Sequence, residues 1–174
     1  MKGVIKKISS DPLGLIGLCL VTLMVISALG APIFAPYDPI QLNIMERLQG
    51  PSVNHLLGTD QLGRDLFSRV LFGGQVALKV AFLTIGLALI VGIVLGLIAG
   101  YGPAWLDNSI MLLFDTIRSV PTIMLALAAV TVVGPSITTV IFVVAVSSIP
   151  NYGRIVRTQT LTLKSKDFVK AEKL

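Results

Sequence analysis

Four long apolar runs, parted by short polar segments, constrain this chain more than any other feature. Hydrophobic residues make up 54% of the 174-residue sequence and charged residues 13%, about half the charged share of a soluble domain. The apolar residues are also gathered into uninterrupted stretches of the length that crosses a bilayer. In hydrocarbon each backbone N–H and C=O must be satisfied within its own segment, so such runs must be helices. The expected fold is an all-α integral membrane protein. It is a polytopic bundle of about four transmembrane helices, with a short interfacial helix.

The predicted order is a cytoplasmic N-terminus over residues 1–12, a first span over 13–34, and a polar excursion over 35–75. Further spans follow over 76–99, 109–133 and 137–156, and residues 157–174 begin a basic cytoplasmic loop. Asp11 is suited to cap the first helix and Pro12 to open it. A cleavable leader would share the basic start, and Ala28-Leu29-Gly30-Ala31 resembles its cleavage site, but the apolar run is long for one. The fourth run is apolar only over 137–149, so it must continue through Pro150, with a kink there.

Charge sets the orientation. Lys2, Lys6 and Lys7 precede the first span, and Arg154, Arg157, Lys164, Lys166, Lys170 and Lys173 lie at or beyond the end of the last. The excursion is nearly balanced, with Arg47, Arg64 and Arg69 against Asp38, Glu46, Asp60 and Asp65. The positive-inside pattern then puts both ends in the cytoplasm and residues 35–75 outside. The basic residues flank apolar helices rather than pave one face, which argues against a nucleic-acid partner.

Within the excursion, Leu62, Leu66 and Val70 share a helix face with Phe67 and Leu71 beside them, predicting an amphipathic surface helix over 60–74. Asp60 would cap it, and Asp60–Arg64 and Asp65–Arg69 are acid-before-base pairs four residues apart. In the second span Lys79 is placed to snorkel. Gly92, Gly96 and Gly100 recur every fourth residue and predict a face for close helix packing. Asp115 and Arg118 interrupt the third span three residues apart. They are a candidate intramembrane ion pair, either a substrate or gating contact or an anchor of helix position.

Little suggests catalysis. The GxxxxGK[ST] phosphate loop and the HExxH zinc motif do not occur, no cofactor is implied, and Cys19 reads as an apolar packing residue. His55, the only histidine, reads as a polar loop residue rather than a metal ligand.

Three blocks together carry a family resemblance. The segment His55-Leu56-Leu57-Gly58-Thr59-Asp60-Gln61-Leu62-Gly63-Arg64-Asp65-Leu66-Phe67-Ser68-Arg69 is long and ordered. Gly96-Leu97-Ile98-Ala99-Gly100-Tyr101 is followed by Asp107, Asp115 and Pro121. Tyr152-Gly153-Arg154-Ile155-Val156-Arg157 leads to Asp167-Phe168-Val169 and Ala171. These resemble the C-type membrane subunit of the oligopeptide/dipeptide/nickel permeases of ABC importers. The resemblance implies a non-catalytic permease subunit in a bacterial or archaeal plasma membrane. Its implied partners are a second permease subunit, two cytosolic ATP-binding subunits and an extracytoplasmic substrate-binding protein. It makes Phe168, Val169, Lys170, Ala171, Glu172, Lys173 and Leu174 the start of the ATPase-coupling loop, although Lys170-Ala171-Glu172 departs from the family's run of small residues. Family members normally have six spans, so the chain reads as an N-terminal portion lacking the last two. Di- or oligopeptide transport is the leading expectation. Nickel or another small solute is the alternative, and an accessory protein that only packs against helices is the rival of another class.

Overall fold

The structure, a computed structural model, describes residues 11–166. The chain divides into two compact units between Lys79 and Val80.

In the first unit, α1 (Pro12–Leu29) starts at Asp11, whose Oδ1 accepts from the Leu13 N–H at 3.2 Å, with Pro12 in the first turn. The predicted span over 13–34 is not one helix. α1 stops at Gly30, whose N–H closes on the Ile26 carbonyl at 2.8 Å, and a single further turn, α2 (Ala31–Phe34), follows. Residues 35–65 form a loop with one 3₁₀ turn at Ile44–Glu46 and an isolated antiparallel bridge between Thr59 and Asp65.

α3 (Leu66–Tyr101) is 36 residues long and runs on from the first unit into the second. It corrects the expectation of a surface helix over 60–74 followed by a separate span over 76–99. The helix begins at Leu66, because residues 60–65 are held in a turn by the Asp60 carboxylate. No proline occurs between Leu66 and Tyr101, so one helix of about 54 Å forms where two were expected.

In the second unit, α4 (Ala104–Ser119) and α5 (Thr122–Val133) replace the predicted straight span over 109–133 and meet at 83°. Pro121 causes the break. It has no N–H to donate and forces the preceding residue out of the helical region, and Val120 accordingly sits at φ −95°, ψ 125°. α6 (Ile137–Lys164) begins at Ser136, whose hydroxyl accepts from the Thr139 N–H. It is uninterrupted at Pro150 and extends past the expected end at 156, so residues 157–164 are helix rather than loop. α4 and α5 both pack on α6. The core of this unit is Ala88, Ala99, Ile110, Phe114, Ala145 and Ile149, edged by Val91, Leu95, Leu106, Met111 and Tyr152.

Among the described residues three helices, α1, α3 and α6, are long and apolar enough to cross a membrane, and four spans result if α4 and α5 count as one bent span.

Candidate functional sites: a loop knot, a glycine seam and a polar ladder

The signature running from His55 to Arg69 folds into a knot at the start of α3. Asp65 is its centre. One carboxylate oxygen accepts from the Ser68 N–H at 2.7 Å, capping the helix, and the other pairs with His55 Nδ1 at 2.9 Å. On its other side His55 Nε2 faces Glu46 at 3.5 Å, and its ring lies 4.9 Å from that of Tyr37. Ser68 in turn accepts from the Tyr37 N–H. The polar loop histidine expected from sequence is thus a buried tie within the loop, 5% exposed. The bond to Asp65 raises its pKa, against desolvation, with further help from Glu46. Burial pushes the Asp65 carboxyl up, but donation from Ser68 and His55 outweighs it and holds it below the usual carboxylate range.

Asp60 organises the turn before the helix instead of capping it. It accepts from the N–H groups of Leu62 and Arg64 and from Arg64 Nε at 2.8 Å, and it also binds Arg69. Desolvation raises its pKa, yet donation from Arg64 and Leu62 and the Arg64 charge bring it down to about 2. Of the two pairs expected, Asp60–Arg64 forms, whereas Asp65 is taken by His55 and Ser68, leaving Arg69 to Asp60. Gly58 and Gly63 have positive φ, +76° and +72°, and a Cβ on either would run into the carbonyl oxygen of Gln49 or Asn43.

The second site is a seam between α3 and α6. A Cβ on Gly92 would lie 2.8 Å from the Tyr152 Cβ and 3.1 Å from the Gly153 backbone nitrogen. One on Gly96 would lie 2.5 Å from the Gly153 oxygen, and one on Gly100 would lie 2.6 Å from the Thr160 side chain. All three glycines thus sit where α6 comes nearest. Sequence reading missed the reciprocal residue. Gly153, itself on α6, faces the Gly92 carbonyl on one side and the buried Phe114 ring of α4 on the other. The available signal was Gly153, Val156 and Thr160, small or β-branched residues at helical spacing.

The third feature ties α4 to α6 with polar side chains. Arg157 grips Asp107 with two bonds of 2.5 Å, both side chains partly buried. Further along, Arg154 binds Asp115, and Arg118 donates to the Asn151 side-chain oxygen at 3.1 Å. The expected Asp115–Arg118 pair does not form: each turns across to α6 rather than along its own helix. Lys164, at the end of α6, reaches the carbonyls of Gly100 and Tyr101 at 3.4 and 3.3 Å. Residues Phe168, Val169, Lys170, Ala171, Glu172, Lys173 and Leu174 lie outside the described residues.

Two family descriptions match this chain. Residues 1–51 match the N-terminal TM domain of oligopeptide transport permease C, and residues 92–174 match the binding-protein-dependent transport system inner membrane component. The chain is 38% identical over 168 residues to the dipeptide transport system permease protein DppC of Alkalihalophilus pseudofirmus, covering 97% of this chain and 55% of that protein. The chain belongs to the oligopeptide-type permeases of binding-protein-dependent transport systems. It is also 38% identical to the di/tripeptide permease DppC of Pseudomonas aeruginosa, over 91% of this chain and 54% of that one. The glutathione permease GsiD of Pectobacterium atrosepticum is 38% identical over 87% of this chain and 50% of its own length. This permease chain therefore spans about half the length of the curated relatives it matches. It is a multi-pass membrane protein of the all-helical class.

Proposed function

We propose that this chain is part of the membrane-spanning subunit of an importer for di- or oligopeptides. It contributes one side of a translocation path, with a second permease subunit completing it. ATP hydrolysis belongs to two separate cytosolic subunits, and an extracytoplasmic binding protein delivers the substrate. The single observation carrying this reading is the similarity to dipeptide permeases along nearly the whole chain. The helix contacts suit the role. The seam and the ladder tie α6, which leads toward the proposed coupling segment at Phe168–Leu174, to α3 and α4. A displacement of α6 would therefore carry those two helices with it, as rigid-body alternating access requires. The N-terminus is cytoplasmic in this reading, and residues 35–65 face outward.

The test is ATP-dependent uptake of a labelled dipeptide by the assembled transporter in proteoliposomes with its binding protein. Uptake is expected; nickel uptake without dipeptide uptake would redirect the assignment. Orientation is checked in intact cells lacking Cys19. Gln49→Cys is expected to react with an impermeant thiol reagent and Ser165→Cys is not. The reverse labelling would overturn the topology.

A further inference from the structure

The polar ladder reaches the break in the bent span, and the charges there do not balance. Asn151 lies in the expected α6 span over 137–156, about 7.5 Å before its cytoplasmic end at 1.5 Å per residue, and it accepts from Arg118. Within a span an ionisable side chain avoids lipid and turns to protein, to a water-filled cavity or to the near interface. Non-helical backbone at membrane depth obeys the same restriction, and the chain leaves the helix at Val120, two residues from Arg118. α5 then starts at Thr122, after Pro121, with no side-chain cap. Two demands for a polar environment thus coincide at one point of α4.

The partners of the charged groups narrow the choice. Asp107 is committed to Arg157 and Asp115 to Arg154, so these pairs are neutral as units. Among the described residues Arg118 is paired with no carboxylate and has only the neutral Asn151 side chain, which fixes its direction without cancelling its charge. It is exposed on this surface. A guanidinium held at one edge keeps donors free for a planar anion, and a carboxylate is the group its fork matches best.

We infer that Arg118 and the break at Val120–Pro121 line the water-filled path, and that Arg118 receives the carboxylate of the passing substrate. This rests on the peptide-importer reading, since a peptide with a free C-terminus carries that group. Asn151 is then a positioning residue, and the Asp115–Arg154 pair keeps a second cation from competing for the same anion.

The assembled transporter with its binding protein provides the test. Arg118→Gln is expected to lower uptake of a dipeptide with a free carboxylate by about tenfold, the loss typical of one charged hydrogen bond. Binding-protein-stimulated ATP hydrolysis should stay within about twofold, and Arg118→Lys should recover only part of the uptake because it keeps the charge without the fork. In a Cys19→Ser background, Arg118→Cys should react with a small impermeant cationic thiol reagent, and excess dipeptide should slow the reaction. Full uptake by Arg118→Gln would overturn the assignment. So would an unreactive Arg118→Cys combined with parallel loss of assembly, ATP hydrolysis and uptake, which would mark a contact with a carboxylate of the second permease subunit. A wild-type transporter that takes up no dipeptide would overturn the peptide reading and the carboxylate assignment with it, and is told apart by needing no variant.

Discussion

The loop of residues 35–65 and the seam between α3 and α6 both press backbone against backbone at glycines, but for different reasons. In the loop, Gly58 and Gly63 adopt positive φ as well as lacking room for a side chain. Their neighbours are held by a closed set of hydrogen bonds and charges around Asp60, Asp65 and His55. In the seam, Gly92, Gly96 and Gly100 lie within a regular helix, and what matters there is only the space they leave for α6. The difference follows from the surroundings. A loop without a large apolar core must be ordered by specific polar partners, so its shape depends on protonation. Helices in hydrocarbon gain nothing from burying more apolar surface against each other, so close packing has to hold them.

That contrast can be broken most sharply in the seam. Gly96→Leu should destabilise the assembled helices by about 3 kcal/mol or more, since the side chain meets the Gly153 carbonyl rather than a flexible tip. Gly86→Leu, with nothing within 4 Å of its Cβ, should change stability by less than about 0.5 kcal/mol. Thermal unfolding in detergent compares the two, and equal tolerance would remove the seam from the account.

In the loop, Gly63→Ala combines left-handed strain of about 1–2 kcal/mol with a collision at the Asn43 carbonyl. The expected outcome is faster limited proteolysis within residues 35–65 with the melting of the helices little changed. Loss of both together would show that the loop and the helices fold as one.

Arg157→Gln should cost about 1–2 kcal/mol, because it strands the partly buried Asp107 carboxylate. The double exchange Asp107→Arg with Arg157→Asp should recover part of that loss. If each single change is silent in the same melting experiment, the ladder is not holding α4 to α6.

The smallest expected effect is the pH response of the loop. His55 has a raised pKa, so its contribution is complete below about 6.5, the ordinary histidine value, and is lost as pH rises through the raised value. Asp60 and Asp65 have lowered pKa values. Their contributions are complete above about 3.9 and are lost as pH falls, for Asp60 toward about 2. Protection against hydrogen exchange in residues 46–68, relative to the intrinsic rate at each pH, should therefore be greatest in mildly acidic buffer and smaller on both sides. His55→Gln should flatten the alkaline limb alone, and an unchanged alkaline limb would disconnect it from His55.

Several features were legible without a structure because they depend on local chemistry. Asp11 and Pro12 start a helix wherever they precede an apolar run, and the spacing of Gly92, Gly96 and Gly100 defines one face of any helix that contains them. The order of residues from His55 to Arg69 was specific enough to indicate the family, though not what the segment builds. Other features depend on which group wins a shared partner. Asp65 could cap a helix, pair with Arg69 or bind His55, and sequence spacing favoured Arg69 because it cannot register a histidine ten residues away. Asp115 and Arg118 are neighbours on α4, yet Arg154 and Asn151 of α6 lie closer to the geometry each requires. The helix limits behave likewise: the apolar pattern at 66–101 does not reveal that the turn at Asp60 delays the start to Leu66. Pro121 signals a break, but its 83° angle comes from the packing of α4 and α5 on α6. The amino-acid sequence by itself determined that this chain is helical, spans a membrane and belongs to the permeases. Only the tertiary structure decided which charges meet, because a polar group takes the partner that packing brings within hydrogen-bond reach, whatever its distance along the chain.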